Sequence, residues 1–278
     1  GFTASESSIV TTTGTALSLN NATIGAGGLT FRSISSNGAP NGIVLNNTGI
    51  SGSLTVTGNG GTCASGNTAG CTGGEIRNST GGDDSSSLPV GTGIVLKDTL
   101  APSFTRMYVH DHSNYGIRGT SVAGFTLASS VVDGTNGSND AGPYRDASIA
   151  FDNLTGSASV TSTFISGGAA DNLRVENTSG TLNRLTLTAI TVGTNGLAGN
   201  DGVLVTSTGS AAIGVTVINS TFTAARGDLL QFNHGGSGTG DLVLDGNSFS
   251  NNYPLIATGG GGLTLGSGGT AGPTTMNI

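Results

Sequence analysis

Short runs in which apolar and polar residues alternate recur along almost the whole chain. The clearest is a heptad that reads GIVLNNT at 42–48 and GIVLKDT at 93–99. Its pattern is an apolar residue, a variable residue, a second apolar residue and then Asn, Asp or Thr. Alternation with a period of two is typical of β-strands, so each copy predicts one short strand. The first apolar positions of the copies are Leu17, Ile43, Ile94, Ile117, Ile149, Leu173, Val203, Leu230 and Leu255.

These apolar anchors are spaced like the units of a repeat protein. Neighbouring anchors are about 23 to 32 residues apart. One interval, between Ile43 and Ile94, is about twice as long and holds a cysteine loop and an unanchored turn near GGEIRNST. A second alternating run follows each heptad, as in Val215 and Val217, and another apolar residue follows it, as in Phe222. Each repeat therefore predicts three short strands joined by turns, without a helix.

A repeat of this kind predicts an all-β coil in which each repeat stacks on the previous one. One unit cannot bury its apolar face alone, whereas stacking makes a continuous core and pairs every inner strand above and below. About ten coils at roughly 4.8 Å each give a rod on the order of 50 Å long. We expect one domain over 1–278, with 1–15 as an N-terminal edge or linker, 60–92 as an inserted loop and 267–278 as a C-terminal edge.

Asparagine ends many of the predicted first strands. Asn tolerates left-handed backbone better than most residues do, and its amide can stack on copies of itself. We therefore expect turn residues at Asn21, Asn47, Asn153, Asn177 and Asn233.

Three stretches resemble known β-helix repeats, namely GIRGTSVAGFTLASSVVDG, DNLRVENTSGTLNRLTLT and RGDLLQFNHGGSGTGDLVLDGNSFSNN. With the heptads, they are similar to right-handed parallel β-helices of the pectin-lyase-like type, and more closely to the repeats of very large exported bacterial surface proteins. The resemblance covers roughly residues 16–266. It implies a right-handed parallel β-helix. In the carbohydrate-cleaving members of that superfamily the catalytic groove lies over the first sheet, which corresponds to the outward side chains of the heptads.

Composition narrows the class of protein further. The chain has 50 Gly and only 9% charged residues, and its abundant Gly, Ser, Thr and Asn are poor helix formers, which argues against a helical protein. The net charge is −7 with 9 Lys and Arg, which leaves no basic stripe for nucleic acid. No apolar run reaches the length of a membrane span, so no membrane insertion is expected within this segment. The chain opens on Gly1 rather than Met, which suggests a mature form or a piece of a longer protein.

Cys63 and Cys71 are the only cysteines, and they lie in the Gly-rich stretch GTCASGNTAGCTGG. A zinc site needs four Cys or His ligands, and no His lies nearby in the sequence. A local disulfide is favoured over two free thiols. Because disulfides persist outside the cytosol, this pairing predicts an extracellular or cell-surface location.

If the heptads stack in register, their outward residues form two columns that contain a cluster of charges. The cluster is Lys97, Arg118, Asp152, Arg174 and Glu176, with Tyr144, Arg145 and Asp146 in the loop that enters one of its coils. A polysaccharide lyase could use Arg118 or Arg174 as base and Lys97 to stabilise the developing charge. A hydrolase could use Asp152 and Glu176 as its two carboxylates. The favoured alternative, since no lyase or hydrolase motif is complete, is a surface ladder in which the arginines neutralise Asp152.

Two further groups are candidate metal ligands. VHDHSN (109–114) places His110 and His112 close together, and alternation in a strand points both to one side, but a tetrahedral site needs at least one more ligand. We expect solvated turn residues there. GGDDSSS (81–87) offers Asp83 and Asp84 to calcium. It lacks the spaced ligands of a calcium loop, so a flexible acidic loop without a cofactor is expected.

These observations favour a non-catalytic structural or adhesive module of an exported bacterial protein, with cell-surface glycans or other surface proteins as partners. The first alternative is a lyase or hydrolase that acts on acidic polysaccharide in the groove over the first sheet. The second is a carbohydrate-binding module that uses the same groove, although 5% aromatics and no Trp leave few side chains for sugar stacking. Fold alone does not choose among them.

Overall fold

The computed structural model describes residues 2–139, 145–254 and 260–278 of the chain. In these ranges the protein is almost entirely β-structure, with one short 3-10 helix at Thr68–Gly70. The strands join into one hydrogen-bonded sheet of 25 strands. In chain order they are β1 Phe2–Thr11, β2 Leu17–Asn20, β3 Leu29–Asn37, β4 Asn41–Gly49, β5 Leu54–Val56, β6 Gly74–Arg77, β7 Thr92–Leu100, β8 Ser103–Thr105, β9 Met107–His112, β10 Ile117–Ala128, β11 Val131–Asn136, β12 Ala147–Asp152, β13 Thr155–Thr161, β14 Phe164–Ile165, β15 Asp171–Asn177, β16 Thr181–Thr188, β17 Thr191–Val192, β18 Val203–Ser207, β19 Ala212–Ile218, β20 Thr221–Phe222, β21 Leu230–His234, β22 Gly240–Asp245, β23 Ser248–Phe249, β24 Leu263–Ser267 and β25 Thr274–Asn277.

The strands stack as three parallel ladders, one on each side of the coil. The first ladder is β2, β4, β7, the N-terminal part of β10, β12, β15, β18, β21 and β24. The second is the N-terminal part of β3, β5, β8, the C-terminal part of β10, β13, β16, β19, β22 and β25. The third is the C-terminal part of β3, β6, β9, β11, β14, β17, β20 and β23. Parallel pairing of each strand with its counterpart one repeat earlier is the topology of a parallel β-helix.

The apolar anchors predicted from the sequence form one column inside the coil. Its members in register are Leu17, Ile43, Ile94, Ile117, Ile149, Leu173, Val203 and Leu230. From Ile43 to Leu230 none of these side chains is more than 1% exposed, and they belong to one hydrophobic core shared by all three ladders. The predicted all-β coil and the register of its first strands are confirmed.

The predicted last heptad, PLIATGG at 254–260, is not the next unit of this column. Leu255 lies outside the described residues, and the strand paired with β21 is β24, which places Leu263 beside Leu230. Leu265 packs against the core, whereas Leu263 is 39% exposed.

The long interval between Ile43 and Ile94 is one coil rather than two, because β4 pairs directly with β7. The unanchored turn expected near GGEIRNST is β6, a third-ladder strand that stacks between β3 and β9. Residues 74–77 of the predicted 60–92 insertion thus belong to the coil. The extra length lies in two excursions on either side of β6, and the first is closed by a disulfide between Cys63 and Cys71, which confirms that predicted pairing.

Left-handed backbone ends several first-ladder strands. Asn21, Asn47 and Asn153 have φ angles of 52°, 52° and 53°, as predicted. Asn47 Nδ2 donates to Asn21 Oδ1 at 2.9 Å, so these two amides stack as copies of each other. The turn at this position is therefore stabilised both by the residue type and by the neighbouring coil.

The same prediction is wrong for Asn177 and Asn233, which lie in β15 and β21 without the left-handed backbone of the other three. Asn177 is buried. Its Nδ2 donates to the Leu154 carbonyl oxygen at 2.7 Å and its Oδ1 accepts from the Leu154 amide at 3.0 Å. The side chain acts here as a substitute for a backbone partner, because a buried main-chain group must be hydrogen-bonded.

One glycine in the core makes room for an aromatic ring in the next coil. Gly119 pairs with Phe151, and a Cβ atom on Gly119 would lie 2.2 Å from Phe151 Cδ1. The Phe151 ring packs edge-on against Phe125, with 4.8 Å between ring centroids. The small residue in one coil thus leaves room for the large ring in the next, as close packing of stacked coils requires.

We expect Gly119→Ala to lower the free energy of unfolding by about 1–3 kcal/mol, because the added methyl group overpacks the ring of Phe151. Gly14→Ala is the matched control, since a Cβ atom there meets no atom within 4 Å. Urea denaturation measures both, and the double variant Gly119→Ala, Phe151→Leu should recover part of the loss. Equal stability of the two single variants would contradict this packing.

Candidate functional site

The outward face of the first ladder carries the charged cluster predicted from the sequence. One column runs Val44, Val95, Arg118, Ala150, Arg174, Leu204 and Gln231, and the other runs Asn46, Lys97, Thr120, Asp152, Glu176, Thr206 and Asn233. Both columns are in the predicted register. The β-strand period places these side chains outside the coil, because every second residue points away from the core.

Arg118 and Asp152 form a bidentate ion pair between neighbouring coils. Arg118 Nη1 donates to Asp152 Oδ1 at 2.9 Å, and Nη2 contacts Oδ2. The Arg118 guanidinium also lies 5.3 Å from the centroid of the Tyr115 ring. Burial lowers the pKa of Arg118, but the hydrogen-bonded Asp152 carboxylate outweighs that effect, so its pKa is raised overall. Arg118 is therefore a permanent cation and cannot act as a base.

Arg174 and Glu176 form a second cluster with two residues that the heptads do not contain. Arg174 Nε lies 3.3 Å from Glu176 Oε2, and Arg174 Nη1 lies 3.7 Å from Asp171 Oδ2. Arg145 Nη2 donates to Glu176 Oε1 at 2.6 Å, while the Arg145 carbonyl oxygen accepts from Arg174 Nη1 at 2.5 Å. Each charge in this group thus faces an opposite charge.

Lys97 does not join these pairs. Its Nζ lies 2.6 Å from Asp98 Oδ2, next to it in sequence, and its side chain is 28% exposed. Thr120 separates it from Asp152 in the outward column. The five predicted residues therefore divide into a lysine pair at the surface and a paired group of arginines and carboxylates.

Most of the outward column that holds Arg118 and Arg174 is buried, although its side chains point away from the core. Arg118 and Arg174 are 5% and 3% exposed, and Ala150 is fully buried. Tyr115, Ala147 and Ala150 pack as a small apolar cluster over this face. Arg145 and Asp146, in the segment that precedes β12, extend the cover; Tyr144 lies outside the described residues. Asp146 Oδ2 accepts the amides of Ser138 and Asn139 at 2.9 and 3.1 Å, and burial raises its pKa to about 6.

Three aspartates stack at the entrance of successive first-ladder strands. Asp171 and Asp201 are buried, and Oδ1 of each accepts the amide of its counterpart in the next coil, Asp201 and Asp228, at 2.9 Å. Burial raises the pKa of Asp201 to about 7, and the negative charges of Asp171 and Asp228 act in the same direction. Burial also raises the pKa of Asp171, against the opposing charge of Arg174. Sequence reasoning missed this stack, although an Asp two residues before each anchor was visible in DNL, DGV and DLL.

The two predicted histidine ligands point in different directions. Asp111, between them, has a φ of 58°, so strand alternation is broken and the expectation that both face one side is wrong. His112 is 3% exposed, accepts the Ser79 amide at Nδ1, and has a pKa lowered to about 3 by burial. His110, which is 8% exposed, lies on the outer face of the coil. The expectation of solvated turn residues is wrong for both.

The acidic loop at 81–87 is held by hydrogen bonds that its backbone and the following residues make to Asp84. Asp84 Oδ1 accepts the Ser86 amide at 2.8 Å and Oδ2 accepts the Val90 amide at 3.4 Å. Burial acts to raise the pKa of Asp84, but these bonds lower it overall. Asp83 makes no such bond and borders an open hollow. Among the residues that the structure describes, no three His, Cys, Asp or Glu side chains are grouped so that they could hold a metal ion.

Comparison of the chain with protein-family profiles, with curated proteins and with solved structures finds no match. The interpretation of the site therefore depends on its geometry. No helix in the described ranges combines the length and the apolar character needed to cross a bilayer.

We expect Arg118→Ala to lower the free energy of unfolding by about 1–3 kcal/mol, because it removes a buried guanidinium and its hydrogen bonds to Asp152, whose own side chain is 36% exposed. The control is Arg184→Ala. Arg184 pairs with Asp241 at 2.5 Å, but its side chain is 38% exposed, so its loss should cost at most about 1 kcal/mol. Thermal and urea denaturation of the two variants decide the matter. Equal losses would mean that the cover does not exclude water from Arg118.

We expect the contribution of Asp201 to the free energy of unfolding to fall as the pH rises from about 4 to about 7. Asp201 has a pKa of about 7 in the fold and roughly 3.9 in an unfolded chain. Its bound proton therefore stabilises the fold at acid pH, and Asp171 acts in the same direction. Buried His112, with its pKa lowered to about 3, acts in the opposite direction, so the test compares two proteins. Measured by denaturation, the stability of the unchanged protein relative to Asp201→Asn should fall across this pH range, and a constant difference would exclude Asp201 as the titrating group.

Proposed function

We propose that this chain is a non-catalytic extracellular module, structural or adhesive, of an exported bacterial surface protein. The observation that carries the proposal is the state of the charged cluster on the first ladder, where both arginines are covered and engaged by carboxylates. A lyase needs a free base and a free cation that meet the substrate together. Arg118 and Arg174 offer neither.

The shape and chemistry of the rest of the coil agree with a spacer or an adhesive surface. Stacked coils form a rod whose stiffness comes from a continuous core and from hydrogen bonds along its axis. The disulfide between Cys63 and Cys71 suits an oxidising compartment. The resemblance of the repeats to those of exported bacterial surface proteins supports the same location, and the pectin-lyase-like likeness supports the fold type alone.

One observation favours a hydrolase as a second candidate. Asp152 and Glu176 stand on adjacent strands and border the same open hollow, of about 370 Å³. Most glycoside hydrolases use two carboxylates beside a cleft as their catalytic residues. Both carboxylates are, however, held by arginines, Asp152 by Arg118 and Glu176 by Arg145. A substrate would have to displace a guanidinium before either oxygen could act.

We expect the protein to cleave no acidic polysaccharide. Pectate, alginate and a glycosaminoglycan, each with and without calcium, are incubated with it, and unsaturated uronate absorbance and new reducing ends are measured. Neither signal should exceed the protein-free blank, because the cations that a lyase would use are neutralised. Sustained product formation that disappears in Arg118→Ala or Arg174→Ala would overturn the proposal in favour of a lyase, and dependence on Asp152 and Glu176 would favour a hydrolase.

A further inference from the structure

The outer face of the third ladder carries two partly exposed aromatic rings, Tyr108 and Phe164. The outward column that holds them runs through Glu75, Tyr108, Val131, Phe164 and Thr191, one residue from each successive coil. Val131, between the two rings, is fully buried. Exposed aromatic faces on a polar surface can pack against the apolar face of a ligand.

Tyr108 is held as a flat platform. Its ring stacks on His110 with 3.9 Å between centroids and 20° between planes. His110 is fixed beneath it, with Nδ1 2.7 Å from Asp111 Oδ2 and Nε2 3.1 Å from Glu75 Oε1. Burial raises the pKa of Tyr108 to about 12, and the negative charge of Asp133 and its hydrogen bond to the Tyr108 side chain add to this effect. Because the His110 side chain is only 10% exposed while Tyr108 is partly exposed, the free face of the stack belongs to Tyr108.

We propose that Tyr108 and Phe164 bind a neutral oligosaccharide that lies along the axis of the rod. This inference rests on the proposed adhesive function and names its partner. The apolar C–H face of a pyranose ring packs on an aromatic face, and its hydroxyl groups donate to neighbouring carboxylates. Tyr108 provides the face, and Glu75 and Asp133 stand beside it as acceptors.

The spacing of the two rings suits a chain of sugars. Tyr108 and Phe164 are two coils apart, which is about 10 Å along the axis and close to the length of a disaccharide unit. Val131, between them in the column, is fully buried, so the two rings are the contact points. A linear saccharide can therefore contact both rings with every second sugar.

The charges around the platform exclude other ligand classes. The carboxylates of Glu75, Asp111 and Asp133 outnumber the one arginine beside them, Arg77, which pairs with Glu75 at 3.4 Å, so the local charge opposes a uronate or a phosphate near Tyr108. A quaternary ammonium ion is bound by several aromatic faces that surround it, and here one face of Tyr108 is already covered by His110. A neutral sugar needs only one free face and hydrogen-bond acceptors.

The test is titration of the full chain with neutral cellohexaose, chitohexaose and mannohexaose, and with hexagalacturonate as the acidic comparison. We expect at least one neutral hexasaccharide to bind with a dissociation constant at or below the millimolar range, and hexagalacturonate to bind more weakly. Tyr108→Ala should weaken binding by roughly tenfold or more, which is the loss of one stacking contact. Tyr108→Phe should keep most of the affinity, because it keeps the ring.

Tyr253→Ala is the matched control, since Tyr253 is a partly exposed tyrosine elsewhere on the rod whose hydroxyl donates to the Gly196 carbonyl oxygen. It should bind as the unchanged protein does. If the thermal melt of Tyr108→Ala shows that it is unfolded, Phe164→Ala decides, with the same expected loss. Saturable binding by none of the neutral probes, equal affinity in Tyr108→Ala, or tighter binding of hexagalacturonate would each overturn the proposal.

The same samples separate this inference from the proposed function. Reducing ends are measured after each titration. Absence of both binding and product would remove the sugar site and leave a structural module. Product formation from a bound hexasaccharide would instead show an enzyme, whatever the role of Tyr108.

Discussion

The structure depends on one constraint, which is that each inward side chain must fit against its counterpart in the coils on either side. A single coil is too thin to enclose a core, so its apolar residues are buried only by neighbours in the stack. Ile94 lies between Ile43 and Ile117, and the same arrangement repeats along all three ladders. A change in size in one coil must be answered in the next, as Gly119 answers Phe151. The repeat in the sequence is a consequence of this constraint.

Outward residues are free of that constraint, and the two outer faces have used this freedom differently. On the first ladder, Tyr115 lies over Arg118 and Arg145 contacts Arg174, and burial requires that each charge find a partner. On the third ladder, His110 stacks on one face of Tyr108, which stays partly exposed. The first face is therefore a largely buried network of charges, whereas the third carries an ordered aromatic side chain at the surface.

The sequence predicts the features that follow directly from its repeat period. Alternation and spacing were enough for the anchors, for the pairing of Asp152 with Arg118 across coils and for the position of the turns at Asn21 and Asn47. It did not predict the burial of Arg118 and Arg174, because Tyr115 and Arg145, which contact them, lie outside the heptads. The period of the heptads does not encode where these two residues lie.

Local backbone geometry limits the same reasoning on a shorter scale. A period of two assumes an unbroken strand, and one residue with positive φ reverses the direction of all that follow until the next turn. Asp111 does this between His110 and His112, so one histidine enters the core and the other supports Tyr108 on the surface. The histidine pair that suggested a metal site in the sequence is therefore divided in the fold, with His112 in the interior and His110 on the outer face.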